Sequence, residues 1–465
     1  MPIKHNDFPK PPKDEPFKYC KLNRQQYADI LTNIVQNYAE GFVLAINNEW
    51  GTGKTTFVKM WRQQLEDQKF STLYFNAWEN DYADDVLVAL LSELEELKVK
   101  DSESKYRTVL EKAAPFIKKI IPGVTKAAAK MVGLDEVVQA AIDGTVSVGV
   151  DEMEKAIKSY SKRKEGVKEF RESLEKFVES SASKRPVVFI IDELDRCRPN
   201  YAVSVLEQMK HLFSVPGIVF VLSIDKEELG NAIRGAYGSE NINANEYLRR
   251  FIDLEYSIPK PGTKDFIKYM VDYLRFDEVL FTGERIQYQR PQTEKDEFIE
   301  FAIILFDTSN MTLRQIEKIL AHAKVILHTF KYNQNLLQHS FLLLVYLYHY
   351  KYRIIQNVKD GQIGLQDFLD TIEGLFLQKT NDNNRRIIMF AVCQVLTLYF
   401  NYLITKQRNL NLLYSEEGTE EQKATVISKL GNTNEDFIQF LETHKRLNWD
   451  IMYLIDKISL TVPFT

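Results

Sequence analysis

The fold of this chain is decided by one glycine-rich stretch near its start, Asn48-Glu49-Trp50-Gly51-Thr52-Gly53-Lys54-Thr55-Thr56. The stretch directly follows an apolar run typical of a buried strand, Phe42-Val43-Leu44-Ala45-Ile46. Apolar residues at helical spacing come next, at positions 57, 60, 61 and 65. A strand, a glycine-rich turn and a helix in this order predict a phosphate-binding loop.

The residue types in this stretch suit a polyphosphate ligand. Backbone N–H groups of such a loop and of the following helix N-terminus converge on phosphate oxygens. Gly51 and Gly53 let the main chain approach closely because they have no Cβ. Lys54 can reach the β- and γ-phosphates, and the Thr55 hydroxyl can ligate Mg²⁺. We therefore expect a nucleotide-phosphate site formed by Asn48, Trp50, Gly51, Thr52, Gly53, Lys54, Thr55 and Thr56; no motif here reads the base.

One position departs from the pattern G-x-x-x-x-G-K-[ST], because Asn48 stands where the first glycine is usual. Asn tolerates left-handed backbone angles better than other non-glycine residues, so we expect the turn to form. The alternative is a chance Gly-Lys-Thr at the start of an ordinary helix. The order of strand, turn and helix favours the phosphate loop.

A second apolar run closes on two acids, Pro186-Val187-Val188-Phe189-Ile190-Ile191-Asp192-Glu193. Buried parallel strands end in this way at the edge of an active site. Asp192 would hold Mg²⁺ directly or through water, and Glu193 would orient or deprotonate the attacking water. Acids at a strand end also cap the following helix, but the phosphate loop favours the catalytic interpretation.

A third apolar strand, residues 217–224, ends at Asp225. Asp225, or Ser223 before it, would lie near the γ-phosphate and sense its hydrolysis. The alternative is that Asp225 caps the helix that begins at Lys226.

Three arginines are candidates for stabilising transition-state charge. The adjacent Arg249 and Arg250 would act on their own nucleotide or on that of a neighbouring subunit. The alternative is that they are solvated surface residues. Arg314 falls at a predicted helix start, in the segment 310–318, from which it could swing onto a bound phosphate.

Length and composition define the broad class of protein. The chain has 465 residues, of which 45% are hydrophobic and 27% charged, with a formal net charge of -5. These values indicate a soluble globular protein of several domains, with no general attraction to nucleic acid or anionic membrane. Three widely spaced cysteines form neither a disulfide framework nor a zinc motif, and the N-terminus lacks a signal-peptide pattern. We expect a cytoplasmic protein.

The chain divides into five predicted segments. Strands alternate with helices over residues 40–260, which predicts a parallel α/β sheet, and the pattern after that is almost wholly helical. The segments are an extended arm (1–20), the first part of the nucleotide domain (21–97), a helical insertion (98–182), the second part of the nucleotide domain (183–261) and a helical C-terminal domain (262–465). The insertion is interpreted as a lid or interaction surface, with a solvated helical spacer as the alternative.

Two uncharged segments, residues 332–350 and 387–404, are long enough to be tested as membrane spans. Residues 387–404 meet the lower length limit, but Gln394, Thr397 and Asn401 weaken that interpretation. We favour buried helices of a helical domain.

Several motifs occur together in a fixed order. They are Tyr27-Ala28, Trp50-Gly51-Thr52-Gly53-Lys54-Thr55, Phe75-Asn76-Ala77-Trp78, Ile190-Ile191-Asp192-Glu193-Leu194-Asp195-Arg196-Cys197-Arg198-Pro199 and Phe220-Val221-Leu222-Ser223-Ile224-Asp225. Over residues 20–330 this combination resembles the KAP family of P-loop NTPases. The resemblance implies an additional-strand P-loop ATPase with a helical extension and often an insertion. In many members that insertion carries transmembrane helices; residues 98–182 do not look like such a segment.

The resemblance also bears on individual residues. Arg314 matches the helical arginine that the family carries after its core domain. Three features depart from the family pattern: Asn48 replaces a glycine, Glu193 stands where a second Asp is common, and Arg249-Arg250 replaces an acidic–basic pair. Glu193 favours hydrolysis, because Glu is the usual base in this superclass.

These features predict a magnesium-dependent ATPase that works as a conformational switch or assembly ATPase. Its catalytic residues would be Lys54, Glu193, Asp225, Arg249, Arg250 and Arg314, with Thr55 and Asp192 holding the metal. By resemblance, since some bacterial members are similar to phage-exclusion components, the setting would be anti-phage defence. The alternatives are a nucleotide-gated scaffold with little turnover and a P-loop kinase. The expected partner is a second copy or another protein, bound through the insertion or the C-terminal helices, rather than nucleic acid or membrane.

Overall fold

The computed structural model describes residues 10–38, 40–82, 85–99, 102–117, 150–181, 185–280, 291–307, 311–331, 334–378, 380–406, 426–431, 434–444 and 447–460. The chain forms two compact units, Met1–Lys260 and Pro261–Thr465. The start of the arm (1–9), the middle of the insertion (118–149) and Asn310 lie outside the described residues.

The first unit alternates strands with helices. Its strands are β1 (Val43–Asn47), β2 (Thr72–Asn76), β3 (Val187–Asp192), β4 (Ile218–Ile224) and β5 (Leu254–Tyr256). Its helices are α1 (Gln25–Asn37), α2 (Lys54–Asp67), α3 (Val86–Glu93), α4 (Glu103–Ala113), α5 (Val150–Ser181), α6 (Pro199–Gln208), α7 (Lys226–Tyr237) and α8 (Ala244–Leu248). Short 3₁₀ helices cover Leu94–Leu97, Ala114–Phe116 and Leu194–Arg196, and a π-helix covers Met209–Phe213.

The five strands form one parallel sheet in the order β2-β3-β4-β1-β5. The predicted fold is confirmed, including its additional-strand character, because β4 lies between the loop strand β1 and the acidic strand β3. The sequence did not indicate β5, which is only three residues long and pairs with β1 at the sheet edge.

Both faces of the sheet are buried, which is why its central strands are apolar without alternation. Phe220 and Leu222 of β4 enter the core that α3 to α7 cover, whereas Val219 and Val221 enter the core under α1 and α2. Side chains at even positions of β3 lie on this second face, so the strand ends with Asp192 directed toward the side of α2.

The described parts of the insertion belong to the core of the first unit. Helix α4 packs along α5, and Phe170, Leu174 and Phe177 of α5 are fully buried. The C-terminal half of α5 is therefore packed into the core of the nucleotide domain and is not a solvated spacer. The arm is also anchored, because Phe17 is 7% exposed with its ring centroid 6.3 Å from that of Phe57.

The second unit contains helices and no strand among its described residues. Its helices are α9 (Thr263–Tyr273), α10 (Asp277–Leu280), α11 (Pro291–Asp307), α12 (Leu313–Leu327), α13 (Gln338–Tyr350), α14 (Tyr352–Asp360), α15 (Leu365–Glu373), α16 (Arg385–Lys406), α17 (Asn434–His444) and α18 (Met452–Ser459). Within the described chain, α16 alone is long and apolar enough to cross a membrane. However, 78% of its apolar window is buried inside the unit, against α13, α15 and α17, which is the environment of a core helix.

Candidate functional site

The candidate site lies where β1, β3 and β4 end. Because the strands are parallel, their carboxyl ends share one edge of the sheet, and ligands bind there in open α/β folds. Asn47 at the end of β1 pairs with Ile224 of β4, and Ser223 pairs with Asp192 at the end of β3. The predicted loop and the predicted acids are therefore neighbours across a single strand.

The loop has the backbone that phosphate binding requires. Gly51 and Gly53 have φ angles of 80° and 81°, in the left-handed region where a Cβ would be strained. Helix α2 begins directly after Gly53, so Lys54 and Thr55 occupy its first turn. The Thr52 hydroxyl donates to the Glu49 carbonyl at 2.8 Å and closes the turn. The first N–H groups of a helix have no acceptor within the helix, so those at the start of α2 are available to a ligand at the loop.

Asn48 is accommodated where the loop pattern has its first glycine, for a reason that the sequence did not indicate. Its φ is not positive, so the expected left-handed angle is absent. Instead its carboxamide pairs with the backbone of Ile258 in both directions: Nδ2 donates to the carbonyl at 2.7 Å, and Oδ1 accepts from the N–H at 2.9 Å. Asn48 thus ties the loop to the segment after β5.

Lys54 is held inside the loop. Its Nζ donates to the carbonyls of Asn48 and Glu49. Burial lowers the pKa of the ammonium, although the nearby Asp195, Asp225 and Asp192 carboxylates oppose that shift. The side chain therefore lies near the three carboxylates at the sheet edge.

Trp50 connects the loop to two of these acids. Its backbone N–H donates to Asp225 Oδ2 at 3.1 Å, and its indole Nε1 donates to Asp195 Oδ2. Asp195 is 7% exposed, and burial raises its pKa. The other oxygen of Asp225 accepts from the N–H groups of Glu227 and Glu228. Asp225 therefore caps α7, which is the alternative role that the sequence allowed. Both Asp225 oxygens are thus engaged in holding the loop and α7.

Asp192 is a fixed acceptor at the end of β3. The side chain is 1% exposed; Oδ2 accepts from the Tyr74 hydroxyl at 2.9 Å and Oδ1 from the Glu193 N–H at 3.0 Å. Burial and the Asp192 charge raise the pKa of Tyr74, which keeps the phenol protonated as a donor. These bonds orient the carboxylate while leaving lone pairs on both oxygens.

Glu193 is also restrained. Its backbone has a φ of 60°, unusual for a residue with a Cβ. Oε1 forms an ion pair with Arg196 at 2.8 Å, and Oε2 accepts from Asn76 Nδ2 at 3.4 Å. Burial raises the pKa of the carboxyl, and the Arg196 charge opposes that shift. Both oxygens of the predicted base are thus in contact with polar neighbours.

Ser223 adds an unsatisfied hydroxyl to the same edge. It is fully buried, pairs with Asp192 in the sheet register, and its Oγ has no hydrogen-bond partner within the described chain. Buried hydroxyls without a partner are uncommon, and at a site they mark a position for water or a ligand.

The donor set at this edge fits magnesium. Asp192 offers a hard carboxylate, and Thr55, on the first turn of α2, offers a hydroxyl. Among the described residues no three His, Cys, Asp or Glu side chains are close enough to form a protein-only metal cage. A magnesium ion here would accordingly take its other ligands from water and nucleotide phosphates, as it usually does.

The structure does not bring Arg249 and Arg250 to this edge. They precede β5, and Asp253 at the start of that strand accepts from the Val43 N–H at 2.9 Å, at the amino end of β1. Arg249 is 71% exposed and ion-paired with Glu246. A role toward the chain's own nucleotide does not fit this geometry, because the loop lies at the opposite end of β1; a role toward a neighbouring subunit stays a prediction.

Arg314 lies on the first turn of α12 in the second unit, between Thr312 and Gln315, which form a capping box. Its helix-start position is as expected, and its action on phosphate stays a prediction.

Sequence reasoning missed several residues that contact the predicted ones at this edge, among them Arg24, Tyr74, Asn76, Asp195 and Arg196. Asn76 and Asp195 lie within motifs quoted for the family resemblance, so a signal existed. Tyr74 shares a strand face with Asn76 by simple alternation, but the register that places it beside Asp192 is not readable from one strand. Arg24 precedes α1 without any local signal.

Fold and site together define a P-loop nucleotide-binding protein of the additional-strand class. The KAP family P-loop domain matches residues 24–330, about two thirds of the chain. The chain belongs to the KAP family, which confirms the resemblance inferred from its motifs and supports an ATPase-type function with nucleotide binding.

Two solved structures are similar to the chain over most of its length. One is the ORC2 protein of Aeropyrum pernix, in ADPNP–ADP complexes, with 10% identity, 94% of this chain and 96% of that chain covered, and a TM-score of 0.34. The other is a DNA replication initiation factor, with 10% identity, 95% of each chain covered and a TM-score of 0.29. Likeness at these scores is too low to support a conclusion about this chain. No curated protein matches it.

Proposed function

We propose that the protein is a magnesium-dependent ATPase whose hydrolysis cycle switches its conformation. The observation that carries the proposal is the placement of Glu193 directly after the metal-ligand candidate Asp192, at the sheet edge that holds the loop. A carboxylate in this position can take a proton from water attacking the γ-phosphate.

Each residue has a proposed task. Lys54 and the loop amides, including those at Gly51, Gly53 and Thr56, bind the β- and γ-phosphates, and Thr55 and Asp192 hold magnesium. The Trp50 N–H is already bonded to Asp225. Bound magnesium neutralises charge on the phosphate oxygens. Ser223 is better placed than Asp225 to contact the γ-phosphate, because its hydroxyl is unengaged while both oxygens of Asp225 are used. Arg314, and Arg249 or Arg250 from a neighbouring copy, would add positive charge.

The contacts of Glu193 suggest how the switch is set. Arg196 and Asn76 each contact one oxygen of Glu193, and the Arg196 charge makes the carboxylate a weaker base. Hydrolysis is then faster when the Arg196 ion pair loosens on binding of nucleotide or a partner protein. The same restraint is what favours the rival function, a nucleotide-gated scaffold that binds ATP and barely hydrolyses it.

Phosphate release from ATP and GTP, measured together with nucleotide affinity, separates the two functions. We expect Lys54→Ala to lose binding and Glu193→Gln to bind without turnover. Glu103→Gln, an exposed carboxylate on α4, is the matched control and should behave as wild type. Turnover in wild type that Glu193→Gln abolishes supports the ATPase. Equal, negligible turnover in both, with ATP bound, supports the scaffold.

The biological setting that we propose, from family resemblance, is bacterial anti-phage defence by a cytoplasmic homo-oligomer or a complex with a partner protein. Plating efficiency of phages on bacteria expressing wild type or Lys54→Ala tests the setting. Equal plating on both strains across a broad phage panel would refute it. Gel filtration with and without ATP tests whether nucleotide drives assembly.

A further inference from the structure

Arg24 is a buried arginine whose guanidinium donates to two carbonyls at the back of the phosphate loop. It directly precedes α1 and is 4% exposed. One terminal nitrogen, Nη2, donates to the Thr52 carbonyl at 2.6 Å, and the other, Nη1, donates to the Gly53 carbonyl at 3.0 Å. Two consecutive loop carbonyls are therefore held by one rigid, planar group.

These two bonds fix the direction of two amide groups. In a planar trans peptide the C=O and the N–H point to opposite sides. Arg24 holds the Thr52 carbonyl and shares the Gly53 carbonyl with the Phe57 N–H of α2, at 3.1 Å, so the N–H groups of Gly53 and Lys54 point away from the guanidinium. These are donors that a bound phosphate would use.

The glycine and the arginine are matched in space. A Cβ built on Gly53 would lie 3.0 Å from Nη1 of Arg24. Gly53 is thus required both by its φ of 81° and by the guanidinium behind it.

The charge of Arg24 lacks a compensating carboxylate. None of the ion pairs in the described chain includes it, and its Nε has no hydrogen-bond partner there. Burial lowers the pKa of Arg24, and the side chains that oppose this shift, Cys20 and Tyr27, are not carboxylates. A buried cation without an anion is costly, and protein structures usually pair such groups.

We propose that Arg24 is the positioning residue of the phosphate site, which aims the loop amides and finds its counter-charge in the polyphosphate of the bound nucleotide. This inference rests on the nucleotide binding in the proposed function, but not on hydrolysis. It makes the segment before α1 a functional part of the site, and it predicts selectivity for polyphosphate charge over the base.

The test compares Arg24→Met and Arg24→Lys with wild type in calorimetric titrations with ATP and with inorganic tripolyphosphate. We expect Arg24→Met to weaken both ligands by about tenfold to a hundredfold, the range for a lost charge-assisted bond. Arg24→Lys keeps the charge but cannot hold two carbonyls at once, so its affinity for both ligands should lie between those of wild type and Arg24→Met. The matched control is Arg171→Met, since Arg171 also donates to two adjacent carbonyls, of Lys210 and His211, at the other end of the sheet.

A structural role alone would give a different result. It would lower the melting temperature without ligand and leave the affinity of the folded protein unchanged. Unchanged affinity of Arg24→Met for tripolyphosphate would overturn the proposal, even if ATP bound less tightly. If wild type binds both ligands without turnover, the ATPase proposal is refuted, and the comparison of Arg24→Met with wild type still tests the role of Arg24. Wild type that binds neither ligand refutes both.

Discussion

Replacing Asn48 by glycine should destabilise the protein, although it restores the residue that the loop pattern prefers. The Asn48 carboxamide forms two hydrogen bonds with the backbone of Ile258, which is 4% exposed. Asn48→Gly removes both bonds and leaves a buried N–H and C=O without partners. Sequence comparison alone would predict the opposite, a repaired loop.

The size of the effect follows from these contacts. Each hydrogen bond contributes about 1 kcal/mol net, and glycine adds about 0.5–1 kcal/mol of backbone entropy cost where φ is not positive. We therefore expect a loss of about 2–3 kcal/mol in the free energy of unfolding of the first unit. For a unit of this size, 1 kcal/mol shifts the melting temperature by about 2–4 °C, so the melting temperature should fall by about 4–12 °C.

Tryptophan fluorescence is a suitable assay, because Trp50, Trp61 and Trp78 are in the first unit and only Trp449 is in the second. Asn48→Ala removes the two hydrogen bonds without adding the backbone flexibility of glycine. It should therefore show most of the decrease in unfolding free energy seen for Asn48→Gly. Asn48→Asp keeps the bond from the Ile258 N–H but sets a carboxylate against the Ile258 carbonyl, so it should also be less stable than wild type. A glycine variant as stable as wild type would refute the reasoning.

Three further outcomes are expected. Burial raises the pKa of Glu93 to about 7, so its contribution to stability is lost as pH rises from about 4.5 to about 7; Glu93→Gln should melt higher than wild type at pH 8 and equally at pH 4. Because the Arg196 charge opposes the raised pKa of Glu193, Arg196→Ala should move the acidic limb of the ATPase pH profile to higher pH, and an unmoved limb would exclude Glu193 as the base. In the second unit the buried Ser340 hydroxyl donates to Gln394 Oε1 at 2.7 Å, so Ser340→Ala should cost about 1–3 kcal/mol in urea unfolding, and no loss would mean that the pair contributes nothing.

The parts of the fold that could be predicted are those fixed by local pattern. The apolar runs of β1, β3 and β4 are long and uninterrupted. Residues 51 and 53 have positive φ angles, which glycine adopts without strain, so the residue type itself indicates the turn. The three-residue strand β5 carries no such pattern. Its existence depends on pairing with β1, which is a tertiary fact.

The parts of the site that could not be predicted are set by contacts between distant segments. Asn48 and Ile258 are 210 residues apart, and Tyr74 and Asp192 are 118 apart. The misplacement of Arg249 and Arg250 has the same origin. Adjacent arginines indicate a charged surface, but the end of the sheet on which they lie depends on the direction in which β5 enters it.

The contacts of the loop also give the proposed switch a route toward the end of the first unit. Asn48 is bonded to Ile258, and Glu49 is ion-paired through both oxygens with Lys260, at 3.0 and 2.9 Å. Two consecutive loop residues are therefore tied to the last residues of the first unit, and the chain enters the second unit at Pro261. The exposed ion pair is weak by itself, so the Asn48 bonds are the firmer part of this connection. If the loop moves when phosphate binds, residues 258–260 must move with it or release it. ATP should then change the hydrogen exchange of this segment in wild type, and the change should be reduced in Asn48→Gly; an unaltered response would show that the connection plays no part in the switch.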